Sequence, residues 1–248
     1  MRSQPRVPLG AERTIGLHVV DPGKPTQNAH IESLNGRIRD ELELRKVLAE
    51  AKNPTSRAKK RGYLSSQPWF FAAVAFAAYT GARRGEVLPL RWRDLNFEEK
   101  SVTIARSLTE QMTVKAPKND EARTISMSEK LCKILRAHRA AQAQERLRLG
   151  GKYQDGGLVF ARADGSPINP WNFGRAVSDL IVRAGVTPIT LHGLRDTHAS
   201  LLAKAGVPLE VISKRLGHAS IGVTASRYLH VYNDRDIEAA SAFDRLVG

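Results

Sequence analysis

Two arginines, two histidines and a tyrosine stand in four short motifs along this 248-residue chain: Thr80-Gly-Ala-Arg83-Arg84-Gly-Glu86, His192-Gly-Leu-Arg195, Leu216-Gly-His218 and Tyr228-Leu-His230. These residue types could exchange the bonds of a phosphodiester without a metal. Such a reaction needs a nucleophile, cations for the charge that develops on phosphorus, and an acid for the leaving oxygen. Arginine suits the second task, because its planar fork matches two phosphate oxygens. Tyrosine suits the first at a cost: with a pKa near 10, ionising it at pH 7 takes about 4 kcal/mol. Neighbouring guanidinium groups favour the phenolate and reduce that cost.

The spacing supports this grouping. His192 and Arg195 are three residues apart and share one face of a helix. Thr190, just before them, fits an N-cap, and the positive end of a helix dipole adds to anion binding. Arg83 and Glu86 are also three apart, so Glu86 can pair with a neighbouring cation and hold it. His218 follows Gly217 at a helix stop, where a side chain can project into a cleft. Taken singly, each has a plainer reading. Arg83 or Arg84 fits a solvated helix charge, His192 and His198 fit helix-surface histidines, and Tyr228 fits a core residue. Residues 206–218 also look like part of a helix-turn-helix.

The elements that must carry these groups can be read from apolar periodicity. Helical spacing predicts a helix from Asn35 to Ala51, on Ile38, Leu42, Leu44, Val47 and Leu48. Residues 52–66 are polar and basic, with Pro54 and Gly62, and read as a loop. An apolar helix at 67–79 follows, stopped by Gly81, and then a short helix at 83–90. Alternation within 94–106 and 109–127 predicts three short strands in a small antiparallel sheet. Ser126 and Glu129 fit a capping box for a helix to Leu149, and Val159-Phe160 fits a short strand. Helices are expected at 171–184, 191–205, 209–217, 222–228 and 234–246. The fold class is therefore mainly α with a small antiparallel β-sheet (α+β).

The balance of 39 Lys and Arg against 25 Asp and Glu gives a formal net charge of +14, which favours a polyanionic partner. The single cysteine, Cys132, excludes an internal disulfide and a cysteine-based metal site, and suits a reducing cytosol. The longest apolar stretch, Trp69 to Tyr79, falls well short of the ~20 residues of a membrane-spanning helix. No N-terminal signal core is present, and a buried helix is expected instead.

The four motifs, in this order, resemble those of the tyrosine recombinases, the phage-integrase family of DNA strand-exchange enzymes. The resemblance runs from about Arg45 to Val247. It implies the catalytic set Arg83, Lys118, His192, Arg195, His218 and Tyr228, with Glu86 in support. Lys118 is chosen because Pro117-Lys118, followed by Arg123-Thr-Ile, is similar to the family's lysine hairpin; Lys115 is the second choice. By the same resemblance Tyr228 attacks the scissile phosphate to form a 3′-phosphotyrosyl link, and Lys118 protonates the 5′-oxygen. His192 handles the tyrosine proton or orients the site, while His218 donates to a phosphate oxygen. No metal, cofactor or ATP is implied. Arg84, Lys115, Arg123, Lys214 and Arg215 are expected to contact DNA. The chain departs from many relatives at Asp196, where they carry His.

The stretch Asp21-Pro-Gly-Lys-Pro-Thr-Gln-Asn-Ala-His-Ile-Glu32, continuing to Glu41, resembles a different family. It is similar to the end of the catalytic core of DDE insertion-sequence transposases. There the residue matching Glu32 is the third metal-binding carboxylate, with two aspartates well upstream. Only 31 residues precede Glu32. A two-metal site needs the full carboxylate set, so Glu32 is expected to be a relic.

The expected organisation is a transposase-like N-terminal segment at 1–52, a linker or loop at 53–66, and a recombinase catalytic domain at 67–248. The expected function is that of a site-specific recombinase catalytic domain, truncated in that it lacks the N-terminal clamp of full-length relatives. The alternative is a non-catalytic DNA-binding remnant of a mobile element. The resemblance implies double-stranded DNA as partner, a homo-oligomer on DNA (a tetrameric synapse in the family), and a bacterial, nucleoid-associated, cytoplasmic location. It further implies that the last helix docks on a neighbouring protomer, although its apolar face (Ile237, Ala240, Phe243, Leu246) could pack within its own chain.

Overall fold

The computed structural model describes residues 40–54, 67–116, 122–228 and 236–247. The fold is organised around one helix, Pro68–Thr80, in which nearly every residue is buried. Such a helix has no polar face and must be covered on all sides. Counting the helix at 40–52 as α1, this central helix is α2. Helices α4 (Glu129–Leu149) and α6 (Leu191–Lys204) pack along it. Trp69 and Phe70 meet Phe173 of α5 (Pro170–Ala184), while Phe76 meets Phe160, so aromatic edges close the core at both ends.

Helix α1 belongs to this core as well. Val47 and Ala51 are buried in it, with Leu44 and Leu48 packed against it. Polar bonds fix its outer edge: Arg183 Nε donates to Glu50 Oε1 at 3.1 Å, Thr187 Oγ1 donates to Glu43 Oε1 at 2.7 Å, and Lys204 pairs with Asp40. The expected linker lies for the most part outside the described residues.

A three-stranded antiparallel sheet, in the order β1-β2-β5, covers one side: β1 is Leu95–Asn96, β2 Ser101–Ile104 and β5 Arg123–Ser126. The register pairs Val102 with Ile125 and Thr103 with Thr124. Val102, Ile104 and Ile125 face the core, and the two threonines share a hydrogen bond at 3.0 Å on the outer face. A separate hairpin joins β3 (Ser107–Leu108) to β4 (Val114–Lys115). The mainly helical class with small antiparallel sheets is as the sequence predicts. Two local expectations are corrected. The cap of α4 is Ser128, whose side chain accepts from Leu131 N–H, because Ser126 is still engaged in β5. Val159-Phe160 is not a strand: only Leu158 makes a bridge, to Arg91, and the two following residues are simply core.

The remaining helices are short: α3 (Arg84–Val87), α7 (Leu209–Leu216), α8 (Ile221–Tyr228) and α9 (Asp236–Val247). A second apolar cluster, Ala199, Ala203, Ile212 and Leu216, joins α6 to α7. Phe243 and Leu246 of α9 are exposed, so this part of its apolar face does not pack within the chain. Among the described residues no helix is long and apolar enough to cross a membrane.

Candidate active site

Three helix ends build the site: the C-terminal turn of α2 running into α3, the N-terminus of α6, and the C-terminal turn of α7. The first contains Gly81 at φ 67°, a left-handed cap that glycine takes without steric cost. A Cβ there would lie 2.6 Å from Leu216 Cδ2, so the α2 turn touches the α7 turn directly. Next along the motif, a Cβ on Gly85 would lie 2.6 Å from Ser107 Oγ and 2.9 Å from the Leu108 carbonyl. The glycine lets the β3 hairpin lie against α3.

Arg83 is the N-cap of α3. Its backbone N–H donates to Glu86 Oε2 at 2.8 Å, its Nη1 to Glu86 Oε1 at 2.8 Å, and its Nη2 to the Gly217 carbonyl at 2.9 Å. Arg195 projects from the buried side of α6. Its Nη1 donates to the Gly81 carbonyl at 2.7 Å and its Nη2 to the Leu216 carbonyl at 2.7 Å. A guanidinium carries five donors. Two backbone carbonyls fix the Arg195 fork, while one carbonyl and the Glu86 carboxylate fix that of Arg83, and each arginine reaches across to the α7 turn.

Thr190 caps α6 as the sequence predicts, accepting from Gly193 N–H at 3.2 Å. His192 sits in that first turn, exposed, with Nε2 3.9 Å from Asp196 Oδ2. Arg83, His192 and Arg195 line one cleft of about 420 Å³, together with Ala82, Arg84 and Thr190. Three guanidinium groups and a helix N-terminus around one concavity make a place for an anion. His218 follows Gly217, the left-handed stop of α7, and its Nδ1 shares a hydrogen bond of 2.7 Å with Thr224 Oγ1 of α8. Thr224 is buried, so this bond fixes the imidazole to a rigid point.

Glu86 is the electrostatic keystone beneath the cleft. It is 2% exposed and accepts from Arg123 as well as Arg83, with Arg123 Nη1 at 3.0 Å from Oε1 and Nη2 at 2.7 Å from Oε2. Burial alone would raise its pKa. The hydrogen bonds and charge of Arg123, reinforced by those from Arg83, outweigh burial and hold the carboxyl below its ordinary value.

Two residues expected on the DNA surface are placed otherwise. Arg123 spends its fork on Glu86 and its Nε on the Arg215 carbonyl at 3.0 Å. Arg215 turns inward, and burial lowers its pKa. It donates to Ser126 O, Tyr79 O and His198 Nε2 at 3.1, 3.0 and 3.1 Å. His198 is correspondingly a buried residue and not a surface histidine. Burial, then the charge of Arg215, pushes its pKa down to about 4, which leaves it neutral and able to accept that bond. Sequence reasoning missed these roles, although a signal was present. In α7, Ile212 and Leu216 mark the buried stripe, and Arg215 lies three residues from Ile212. In α6, Leu191, Leu194, Arg195 and His198 form one stripe at helical spacing.

Arg84, Lys115 and Lys214 remain on the surface, Arg84 paired with Glu110 at 2.6 Å. Lys118 and Glu32 lie outside the described residues. Tyr228 is the last residue of α8, which follows the His218 turn and is tied to it through Thr224.

Residues 40–235 match the model of the phage integrase family, and residues 13–61 match that of an integrase core domain. The chain is 32% identical over 192 residues to a tyrosine recombinase XerC-like protein of Caldanaerobacter subterraneus subsp. tengcongensis, which covers 71% of this chain and 49% of that protein. It is 32% identical over 181 residues to the ICEBs1 integrase of Bacillus subtilis, covering 71% and 48%. The chain thus spans about half the length of the curated relatives it matches. Among solved structures, the Tn1549 transposon integrase in complex with transposon right end DNA aligns at a TM-score of 0.63 and 21% identity, covering 82% of this chain and 64% of that one. The catalytic domain of bacteriophage HP1 integrase aligns at 0.54 and 20% identity, covering 83% and 94%. At these identities the structures establish a shared fold.

Proposed function

The chain belongs to the phage integrase family, and from that membership we propose that it cleaves and rejoins double-stranded DNA through a 3′-phosphotyrosyl intermediate at Tyr228. The observation that carries this reading is the convergence of Arg83, His192 and Arg195 on one cleft, with His218 fixed beside the same helix turns.

The scissile phosphate sits in that cleft, its non-bridging oxygens held by Arg83 and Arg195, with His218 donating to one of them. His192 takes the phenol proton. The Tyr228 oxygen attacks phosphorus, the bond to the 5′-oxygen breaks, and Lys118 supplies the proton to the leaving 5′-oxygen. Attack by the 5′-hydroxyl of a partner strand reverses each step, so one phosphoester replaces another and no energy source is consumed. Arginine bonds to backbone carbonyls hold the forks before substrate arrives, which is how preorganised charge lowers a barrier. Arg84, Lys115 and Lys214 add phosphate contacts around the cleft. The proposed assembly is a homo-oligomer on DNA, with α9 as its exchange surface, acting on the bacterial nucleoid. In this reading residues 67–248, together with α1 packed in the same core, form the catalytic domain.

The test is a pool of random-sequence duplexes, each nicked so that the cleaved end diffuses away. Incubated with the protein in EDTA, the pool should yield an adduct that survives denaturing gels and is absent in Tyr228→Phe. Binding without an adduct would establish a non-catalytic DNA-binding protein instead. A nick that requires Mn²⁺ and Glu32 would establish transposase chemistry.

A further inference from the structure

Behind the cleft, one side chain joins four elements. Arg215 of α7 donates Nε–H to His198 of α6, Nη1 to the Ser126 carbonyl of β5, and Nη2 to the Tyr79 carbonyl of α2. Its own carbonyl accepts from Arg123, which in turn holds Glu86. Two of the three points that Arg215 ties, Tyr79 and His198, lie within a few residues of a group in the cleft. Tyr79 is two residues before Gly81, whose carbonyl orients Arg195, and four before Arg83. Arg215 immediately precedes Leu216 and Gly217, whose carbonyls orient Arg195 and Arg83, and His218 follows them.

The spacing between the α2 turn and the α7 turn therefore sets where both forks stand. Arg195 and Arg83 bridge that gap from the cleft side, and Arg215 bridges it from behind. The Nε bond requires an acceptor lone pair at His198 Nε2, which only a neutral imidazole offers.

We propose that Arg215, held by His198, is a positioning residue that locks the α2 and α7 turns together and so sets the separation of the Arg83 and Arg195 guanidinium groups. It touches no substrate. This inference deepens the proposed function and rests on the same cleft.

Lysine at position 215 keeps the positive charge, and with it the long-range attraction for DNA. Its ammonium is a point charge on a flexible stem and cannot hold three fixed acceptors in a plane as a guanidinium does. A misplacement near 1 Å in a catalytic constellation costs about 100-fold in rate.

Two readouts on the full chain test this. On a duplex recovered from the nicked pool, Arg215→Lys should lower the single-turnover rate of adduct formation by roughly 10- to 100-fold. Its Kd for the uncleaved duplex should stay within about threefold of the parent, since phosphate attraction follows charge. His198→Leu, which keeps Arg215 but removes one of its three acceptors, should reproduce a measurable part of the loss, and His198→Gln, which can accept, should lie nearer the parent. An unchanged rate in both Arg215→Lys and His198→Leu overturns the proposal, as does a loss of binding as large as the loss of rate. The second readout needs no activity. Amide hydrogen exchange in 79–83 and 215–219 should quicken in Arg215→Lys while α5 keeps its protection; unchanged exchange in those turns overturns the proposal. A parent chain that forms no adduct counts against the proposed function, and the exchange measurement then decides the positioning role by itself.

Discussion

Replacing Glu86 with Gln tests the electrostatic account of the site most severely, because shape is kept and only charge and hydrogen-bonding capacity change. Glu86 accepts four hydrogen bonds, from the Arg83 backbone, Arg83 Nη1, Arg123 Nη1 and Arg123 Nη2. A glutamine presents one carbonyl oxygen, which can take two of these, and an amide N–H₂ that faces the other two donors. Two donors are left unpaired, at least one of them a guanidinium N–H, each at about 1–3 kcal/mol or somewhat more. The sum, about 3–5 kcal/mol, agrees with the usual cost of removing one partner from a buried ion pair. In a chain of this size 1 kcal/mol moves Tm by about 2–4 °C, so Tm should fall by roughly 6–20 °C. The assay is urea unfolding at pH 7.5 together with a thermal melt. Asp155→Asn, which breaks the exposed Arg146–Asp155 pair, is the control and should cost less than about 1 kcal/mol. If Glu86→Gln costs no more than this control, Glu86 does not hold the two arginines and the account of the site's rigidity fails.

Two further outcomes follow from burial. His198 has a folded pKa of about 4 against 6.5 for an ordinary histidine, so on acidification the unfolded chain takes up the proton first. Its stabilising effect is therefore complete above the unfolded pKa and declines as pH falls from 6.5 toward 4. Relative to His198→Gln, the parent should lose about 2 kcal/mol of unfolding free energy between pH 7.5 and pH 5; parallel pH profiles for the two proteins would contradict this. Val47 of α1 is wholly buried against the main core. Val47→Ala should cost roughly 2 kcal/mol in urea unfolding; a change under about 0.5 kcal/mol would mean that α1 is not part of the cooperative core.

The sequence made the helices and the cleft-lining arginines legible because both rest on local patterns. Thr190, His192 and Arg195 fall within one turn and a half, and helical spacing fixes their shared end. Gly81 and Gly217 mark where helices stop, since a left-handed cap is a local requirement. What stayed hidden was pairing at long range. Glu86 announces that it needs a cation, but nothing local says that Arg123, 37 residues on, supplies the second one. Arg123 and Arg215 fit DNA contacts in a basic chain; that they turn inward depends on which helix turns meet. The α4 cap moved from Ser126 to Ser128 for a similar reason, since the register of β5 on β2 holds Ser126 in the sheet. The apolar pair Val159-Phe160 satisfies strand and core equally, and only the neighbour available to it decides.

In the proposed reaction the phenol at the end of α8 becomes joined to DNA. The most direct measurement is to digest the denatured adduct with nuclease and protease and locate the nucleotide by mass spectrometry. The account predicts a single modified residue, Tyr228, carrying a phosphate esterified to a 3′-oxygen. Attachment to any of the other four tyrosines, Tyr63, Tyr79, Tyr153 or Tyr232, or through a 5′-phosphate, would contradict it.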